Sequence, residues 1–185
     1  MPVHMRGLPS NMGKIMDIAK RYNLKVIEDC AQADGGSCKG KRLGTFGDAG
    51  CFSFDFYKII NTGEGGMVVT NNEKIYIRTQ SWHGTAACLR PNRYARESIS
   101  GEIFYGENYR MGQINAGIGL SQLKKLDNCL SKLRRNKKKL IEYIGEVKRV
   151  KYAPVNDSEG DCSVINSPLF PTSEVGKEEV GKEDC

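Results

Sequence analysis

At 185 residues the chain is long enough for one ordinary domain, or for one domain and part of a second, with its own hydrophobic core. Hydrophobic residues make up 39% of the chain and charged residues 27%, and no apolar run approaches the roughly 18 residues of a membrane span. The opening residues MPVHMRGLPS lack the pattern of a secretory signal, and the seven cysteines are odd in number and scattered. These features predict a cytoplasmic chain without a disulfide framework and without a membrane partner.

The positive charge is concentrated in one segment. The net charge of the chain is +6, and residues 124–139 alone hold eight basic residues and one acidic residue. Leucines recur every three or four positions along the same segment, as on the apolar face of an amphipathic helix; they are Leu120, Leu123, Leu126, Leu130 and Leu133. The charge is therefore interpreted as the solvated face of a helix, with a nucleic-acid surface as the alternative. Because no aromatic residues separate the basic ones, we expect no nucleic-acid partner.

Helical and strand patterns alternate along the first half of the chain. Apolar residues at helical spacing follow Ser10 and predict a helix over about 11–22 with Ser10 as its cap. A further helix is predicted over 73–82, and a glycine-rich loop or hairpin over 35–50. The predicted strands are 25–29, 51–54 and 67–70. Helices that alternate with short strands are typical of an α/β fold, which binds its ligands at the carboxyl ends of the strands.

The second half of the chain is predicted to be largely helical. Residues 83–109 hold glycines, a proline and several arginines without a regular period, which predicts a long loop. Helical spacing dominates over 112–147, with a break predicted near Lys124 or Asn136. The last part of the chain turns to prolines and clustered acids, with one predicted strand over 164–170.

Three polar motifs stand where the predicted strands end or begin. They are Glu28–Gln32, the pair Ser53 and Lys58, and Gly63–Gly66. Each motif alone is commonplace, since carboxylates often cap helices, lysines are mostly exposed and GEGG is a common turn. The joint order, D-x-x-Q, then S-F-x-x-x-K, then G-E-G-G before an apolar strand, is far less expected by chance. GEGG lacks the G-x-G-x-x-G spacing and does not indicate a dinucleotide site.

These motifs resemble those of the DegT/StrS-type sugar aminotransferases, pyridoxal-phosphate enzymes of the fold-type I, aspartate aminotransferase-like class. The matching stretches are PVHMRG, VIEDCAQADGG, GDAGCFSFDFYK, NTGEGGMVVTNN and GENYRMGQINAGIGLSQLKKLD. The resemblance implies an α/β fold: a large domain with a mainly parallel sheet flanked by helices, then the start of a small α+β C-terminal domain. Residues 1–147 would form the C-terminal half of the large domain with its long linking helix, and residues 148–185 the beginning of the small one. Family members are longer, so the chain is expected to be an internal segment that is inactive alone.

The resemblance also implies the residues of the cofactor site. Lys58 matches the lysine that binds pyridoxal phosphate covalently and moves a proton between substrate and cofactor. Asp29 matches the carboxylate that keeps the pyridine nitrogen protonated, while its neighbour Glu28 should point to the opposite side of the strand. The remaining family contacts are Gln32 near the ring, Ser53 at the phosphate and Asn108 at the phosphate of a neighbouring subunit.

Some of these residues also fit other roles. Asn108 precedes a predicted helix and fits either an anion contact or a helix cap. Arg110 fits a second phosphate or substrate contact as well as an ordinary salt bridge. His4 and His83 have no carboxylate or cysteine at ligand spacing, so we expect no metal. His4 is expected to be a packed or hydrogen-bonded residue.

The function implied by the resemblance is transfer of an amino group from glutamate to a keto sugar. The sugar is either a nucleotide-linked keto-hexose or an octulosonate-type sugar, and the pathway is amino-sugar or cell-surface polysaccharide biosynthesis. A homodimer with a shared active site is implied as well. The alternatives are a non-catalytic or regulatory protein on the same fold and a sugar dehydratase. Dehydrating relatives tend to carry histidine at the position of Lys58, which favours transamination.

Overall fold

A computed structural model describes residues 1–84, 104–144 and 151–164, together with the backbone of strand residues 168–169. The middle of the predicted loop over 83–109 and most of the predicted strand over 164–170 lie outside the described residues. Among the described helices, none combines the length and the apolar character that crossing a bilayer would require.

The helices and strands follow one another much as the sequence predicts. In chain order they are a 3-10 turn at Met5–Gly7, α1 (Met12–Arg21), β1 (Ile27–Asp29), β2 (Ser37–Cys38), β3 (Lys41–Arg42), β4 (Ala49–Ser53), β5 (Gly66–Val69), α2 (Glu73–His83), α3 (Gln113–Leu123), α4 (Leu126–Ile144), β6 (Lys151–Tyr152) and β7 (Pro168–Leu169). The predicted strands over 25–29, 51–54 and 67–70 are therefore each found within about two residues of their predicted ends.

The central sheet has the order β1-β4-β5. β1 and β4 are parallel, whereas β4 and β5 are antiparallel. Val3 adds a parallel bridge to Asp29 at the outer edge of β1. The sheet, predicted to be mainly parallel, is thus mixed in the described part of the chain. The link between β4 and β5, residues 54–65, contains no helix, and the N–H of Thr62 bonds back to the oxygen of Phe54, so the chain returns antiparallel.

The first helix begins one residue later than its predicted cap. The side chain of Asn11 accepts a hydrogen bond from the backbone N–H of Lys14, at 3.2 Å, and so caps α1. Ser10 is not the cap, because its hydroxyl donates to the backbone oxygen of Val3 at 3.0 Å. The helix is therefore joined at its start to the segment that extends the sheet.

The long helical region is interrupted once. The break falls at Lys124 and Lys125, between α3 and α4, as one of the two predicted positions. At the other position, Asn136, α4 continues without interruption. Because α4 extends to Ile144, its basic residues lie on a single continuous helix, mostly exposed as predicted.

The main hydrophobic core lies between α1, the sheet, the β2–β3 hairpin and α4. Its buried members are Met12, Ala19, Val26, Cys30, Ala33, Cys38, Leu43, Leu130 and Cys162. The last of these belongs to the segment after α4, whose backbone also bonds to Gly7 and Ser37. Residues 157–162 therefore pack against the first 50 residues. The predicted domain division at residue 147 stays a prediction.

One buried carboxylate organises the core side of the sheet. Glu28 has 0% exposure, and its two oxygens accept hydrogen bonds from the backbone N–H groups of Gly44, Phe46 and Gly47 at 2.7–2.9 Å. The Nε2 atom of His4 lies 3.2 Å from the same carboxylate. These bonds hold the 44–47 loop against β4. The two backbones are so close that a Cβ added at Gly50 would lie 2.4 Å from backbone atoms of Gly44.

The protonation of this network follows from its geometry. The backbone N–H of Ser10 donates to Nδ1 of His4 at 3.1 Å, so the ring hydrogen sits on Nε2 and is donated to Glu28. Burial acts to raise the pKa of Glu28, but the hydrogen bonds from His4 and from the 44–47 loop outweigh it and leave the pKa below its usual value. His4 is hydrogen-bonded and packed, as predicted.

Glu28→Gln tests the role of this carboxylate. An amide cannot accept on its nitrogen, so the variant leaves donors of the network facing an NH2 group, and we expect a loss of about 2–4 kcal/mol in the free energy of unfolding at pH 7. Because the pKa is lowered by folding, ionised Glu28 stabilises the fold above pH 4.5 and this contribution disappears as pH falls through the folded-state pKa. Urea denaturation at several pH values measures both effects.

Glu142→Gln is the matched control for Glu28→Gln. Glu142 is exposed on α4, so the same chemical change should alter the free energy of unfolding by less than about 0.5 kcal/mol. Equal, small effects of the two substitutions would show that Glu28 does not hold the 44–47 loop.

Candidate functional site

The polar motifs of the sequence meet at one edge of the sheet. β1 and β4 run parallel and end at Asp29 and Ser53, so their carboxyl ends lie side by side. β5 begins at this edge, where Gly66 pairs with Ser53. Ligands of α/β sheets bind at the carboxyl ends of parallel strands. This edge, with the loops that follow β1 and β4, is therefore the candidate site.

Asp29 and Ser53 share one face of the sheet. Asp29 pairs with Cys51, and Ser53 lies two residues further along β4, so all three side chains point to the same side. Burial raises the pKa of the Cys51 thiol, and the charge of Asp29 adds to the effect. Glu28 points to the opposite side, as predicted, where the 44–47 loop accounts for its oxygens. Of the two carboxylates at the end of β1, Asp29 is thus the one on the face that Ser53 shares.

The backbone around Asp29 is fixed from both sides. Its N–H donates to the oxygen of Pro2 at 2.9 Å, and its oxygen accepts from the N–H of His4 at 3.0 Å. Its side chain is half-buried, and Oδ1 accepts from the N–H of Ala31 at 3.0 Å. Asp29 is therefore a positioned carboxylate at the end of a strand rather than a loose surface group.

Lys58 lies in the loop that returns β4 to β5. The loop is closed at its base, where the N–H of Thr62 donates to the oxygen of Phe54 at 3.0 Å. Within it, the Lys58 side chain is only 18% exposed, and Nζ lies 3.9 Å from Oδ2 of Asp55. A partly buried amine thus lies in the closed loop that follows β4, five residues after Ser53.

Asp34 is a site residue that the sequence analysis does not identify. It follows β1 by five residues, is 2% exposed, and its Oδ2 accepts from the N–H of Ile60 at 3.3 Å. Its Oδ1 is buried without a hydrogen-bond partner among the described residues. Burial raises the pKa of Asp34 to about 6, although the charge of Lys58 acts in the opposite direction. The only sequence signal is an acidic residue among small ones, in AQADGG.

Gln32 reaches the site from the loop after β1. Its side-chain oxygen accepts from the backbone N–H of Arg6 at 2.7 Å. Arg6 has φ +59°, a left-handed conformation that a non-glycine residue rarely adopts. The 3-10 turn therefore fixes the orientation of the Gln32 amide.

Asn108 is not joined to the other predicted residues by any contact in the described part of the chain. It forms a bridge with Gly84, and its side-chain oxygen accepts from Nε of Arg110 at 2.9 Å. It does not cap α3, which begins at Gln113 after Gly112. Asn108 and Arg110 are exposed, so they can bind a group from outside this segment.

One cluster has the residue types of a metal site. The potential ligand atoms of His4, Glu28 and Cys30 lie within 4.8 Å of one another and are buried. However, the carboxylate already accepts three backbone N–H groups and the proton of His4. Burial also raises the pKa of Cys30, which opposes the thiolate that a metal would need. The cluster acts as a hydrogen-bonded core element.

The residues of the edge fit pyridoxal phosphate by their chemistry. A half-buried amine on Lys58 suits covalent attachment, the carboxylate of Asp29 suits a protonated ring nitrogen, and the hydroxyl of Ser53 suits a phosphate oxygen. Oδ1 of Asp34, in the loop after β1, is a further polar atom of this region without a partner among the described residues.

The described elements have the fold of the fold-type I transferases. The sequence pattern of the DegT/DnrJ/EryC1/StrS aminotransferase family matches residues 1–179. The chain therefore belongs to this family, as the sequence motifs predict.

Similarity to individual relatives agrees with this assignment. The chain is 46% identical over 134 residues to GDP-perosamine synthase of Escherichia coli O157:H7, which covers 72% of this chain and 35% of that protein. It is 42% identical over 135 residues to GDP-perosamine synthase of Caulobacter vibrioides, covering 73% and 34%. The chain thus spans about a third of the length of these curated relatives.

Solved structures confirm the fold class. An aminotransferase from Psychrobacter cryohalolentis superposes with a TM-score of 0.72 at 33% identity, over 80% of this chain and 40% of that one. The E. coli GDP-4-keto-6-deoxy-D-mannose-3-dehydratase with bound hydrated PLP gives a TM-score of 0.77 at 23% identity, over 97% and 49%. At that identity the second similarity shows the fold alone.

Asp34→Asn tests whether the buried carboxylate costs stability. Folding raises the pKa of Asp34 from 3.8 to about 6, so the folded chain binds more protons and loses stability as pH rises from about 4 to above 6. The amide carries no charge, so the variant should be more stable than the unchanged chain by about 1–3 kcal/mol at pH 8. This difference in the free energy of unfolding should become smaller as pH falls towards 4.

Thermal and urea denaturation at pH 4.5, 6 and 8 measure this difference. Asp17→Asn, at an exposed position on α1, is the control and should show a small effect without this pH dependence. A gain for Asp34→Asn that is equal at all three pH values would contradict the raised pKa.

Proposed function

We propose that the protein to which these residues belong is a pyridoxal-phosphate-dependent sugar aminotransferase. The observation that carries the proposal is the shared edge: Asp29 and Ser53 end neighbouring parallel strands on one face, and Lys58 follows in the loop from Ser53. Membership of an aminotransferase family supports the same reaction class. When bound, the cofactor supplies an electron sink that stabilises negative charge on the substrate carbon.

Lys58 has two tasks in this proposal. Its Nζ holds the cofactor covalently, and once released it moves a proton at the substrate carbon that gains or loses nitrogen. The hydrogen bond between Phe54 and Thr62 closes the loop that carries Lys58, and the low exposure of the Lys58 side chain limits competition by water. Both tasks need an amine at this position.

Asp29 keeps the ring nitrogen of the cofactor protonated. A charge-assisted hydrogen bond of this kind contributes roughly 1.5–3 kcal/mol. Its backbone is fixed by Pro2 and His4, so the carboxylate is held in place before any ligand arrives. The amide of Gln32, which accepts from the backbone N–H of Arg6, is the neighbouring polar group in this proposal.

The remaining contacts complete the cofactor site in the proposal. Ser53 binds a phosphate oxygen through its hydroxyl, and Gln32 lies against the ring. Asn108 binds the cofactor phosphate of a second subunit, since it is exposed and separate from the other site residues within the described chain. The functional unit is then a homodimer in the cytoplasm, with the large domain over 1–147 and the small one from 148.

The substrate proposed is a nucleotide-linked keto sugar, with glutamate as amino donor. Two relatives at 46% and 42% identity are named GDP-perosamine synthase, which favours the nucleotide-linked class over the octulosonate class. A sugar dehydratase is the second candidate, because dehydratases are among the structural neighbours. Lys58 favours transamination over dehydration, because transamination requires an amine at this position and dehydrating relatives tend to carry histidine there.

Covalent attachment at Lys58 is the first test of the proposal. Borohydride reduction of the holoprotein should fix the cofactor on the peptide that contains Lys58, as read by mass spectrometry, because reduction makes the amine linkage permanent. Lys58→Arg, which keeps the charge, should abolish the label. A label on Lys39 or Lys41, or the same label in the variant, would refute the assignment.

Asp29→Asn is the second test and separates cofactor attachment from catalysis. The variant should retain the label at Lys58 but lose transamination by about a hundredfold or more, because an amide cannot keep the ring nitrogen protonated and about 3 kcal/mol of transition-state stabilisation is lost. Asp17→Asn serves as the control. Activity of Asp29→Asn within a few-fold of the unchanged enzyme would show that another group holds the ring.

A further inference from the structure

Helix α3 is packed by a polar face. Its large apolar side chains are exposed; they are Ile114, Ile118, Leu120 and Leu123. The partly buried residues are instead Asn115, Gly119 and Gln122, which share one face at helical spacing. A Cβ added at Gly119 would lie 3.2 Å from Cγ2 of Thr62, so this face is in close contact with the rest of the chain. Burial of apolar side chains therefore does not explain where α3 lies.

The polar face of α3 contacts the loop that carries Lys58, residues 54–65, which we call the lysine loop. Nδ2 of Asn115 donates to the backbone oxygen of Thr62 at 2.7 Å and to that of Glu64 at 3.3 Å. A side-chain amide has two hydrogens on its nitrogen, so one group can serve both oxygens. Asn115 thus joins two carbonyl groups of the lysine loop to α3.

Thr62 is the residue at which the lysine loop closes. Its N–H donates to the oxygen of Phe54 at 3.0 Å, and its hydroxyl lies 3.2 Å from the same oxygen and 3.0 Å from the oxygen of Glu64. Thr62 is itself buried. Because Asn115 binds the carbonyl of this residue, it holds the closed base of the loop.

Hydrogen bonds inside the loop connect this base to the backbone around Lys58. The N–H of Lys58 donates to the oxygen of Asp55 at 3.0 Å. On the other side of the loop, Nδ2 of Asn61, the residue before Thr62, donates to the oxygen of Phe56 at 2.5 Å. Lys58 therefore belongs to a loop with its own bonds, and the loop moves with its base.

The GEGG motif allows the loop to approach the start of α3. Gly63 has φ +81°, in the left-handed region, and Glu64 supplies one of the two oxygens that Asn115 binds. A Cβ added at Gly65 would lie 2.8 Å from Cε of Met111. The motif thus takes part in the same contact between the lysine loop and α3.

We propose that Asn115 is a positioning residue for Lys58: its side-chain amide anchors the closed base of the lysine loop to α3. The importance of Lys58 rests on the proposed function, whereas the anchor is a property of the chain itself. Without the amide, the oxygens of Thr62 and Glu64 lose this donor, and the contact between α3 and the loop is weakened. The loop then opens more often, and the lysine amine loses its fixed position.

Hydrogen exchange tests the anchor in the chain itself. Asn115→Asp keeps the shape of the side chain but places oxygen opposite the two carbonyl groups, whereas Asn115→Ala removes both the amide and its volume. If the amide acts by hydrogen bonding, the lysine loop should exchange about tenfold faster in both variants, and at least as fast in Asn115→Asp as in Asn115→Ala. A packing role predicts the reverse order. Asn128→Asp, at an exposed position on α4, is the matched control and should change the rate less than about twofold.

Competitive acetylation of the same variants reads the position of the lysine amine. Trace acetic anhydride labels accessible amines, and mass spectrometry gives the rate for Lys58 relative to exposed Lys20 on α1. The Lys58 side chain is 18% exposed, so opening of the loop should raise this ratio about threefold or more in Asn115→Asp. In Asn128→Asp the ratio should stay constant. In the holoprotein, borohydride should fix added pyridoxal phosphate to Lys58 about tenfold more slowly in Asn115→Asp, because the amine is no longer held in place.

The outcomes separate this inference from the proposed function. Unchanged exchange of the lysine loop, or faster exchange in Asn115→Ala alone, would overturn the anchor. Faster exchange with an unchanged Lys58 ratio would overturn the positioning of the lysine. If Asn115→Asp does not fold, Asn115→Leu, which has the shape of asparagine without its donors, replaces it in the comparison with Asn115→Ala. Borohydride labelling at another lysine would refute the proposed function while leaving the exchange and acetylation results intact.

Discussion

The buried carboxylate of Glu28 is the interaction on which the candidate site depends. An ionised group with no exposure is tolerated only when hydrogen bonds replace its hydration, and Glu28 receives them from His4 and from the backbone over 44–47. These bonds connect the segment before α1, the end of β1 and the loop that enters β4. The register between β1 and β4 is thereby fixed at the point where both strands end.

Because side chains alternate along a strand, fixing Glu28 on one face determines what the other face presents. The next residue, Asp29, must point away from the 44–47 loop, together with its partner Cys51 and with Ser53. The structural carboxylate and the proposed catalytic one are therefore adjacent in sequence but separated by the sheet. The hydrogen bonds of Glu28 therefore fix the side of the sheet on which the Asp29 carboxylate lies before a ligand binds.

The sequence predicts the elements of this edge well, because their signals are local. Strand ends, the alternation that separates Glu28 from Asp29, and the break before α4 at Lys124 all follow from short-range patterns. The cap of α1 does not follow from such patterns, because serine and asparagine are equally good caps. Asn11 is the cap because the Ser10 hydroxyl bonds instead to the backbone oxygen of Val3, seven residues earlier. The antiparallel pairing of β5 and the burial of Asp34 likewise depend on contacts between residues distant in sequence.

Asp34 departs from the rule that a buried polar atom has a hydrogen-bond partner. A buried carboxylate with one unpaired oxygen and a raised pKa reduces the stability of the fold at neutral pH. An asparagine would keep the bond to Ile60 without the charge, so packing alone does not require an acid there. The charge is not neutralised by the amine of Lys58 in the described chain, because Nζ of Lys58 forms its ion pair with Asp55, at 3.9 Å. Groups that reduce stability in this way collect at functional sites, and Asp34 lies in the loop that follows β1 at the candidate edge.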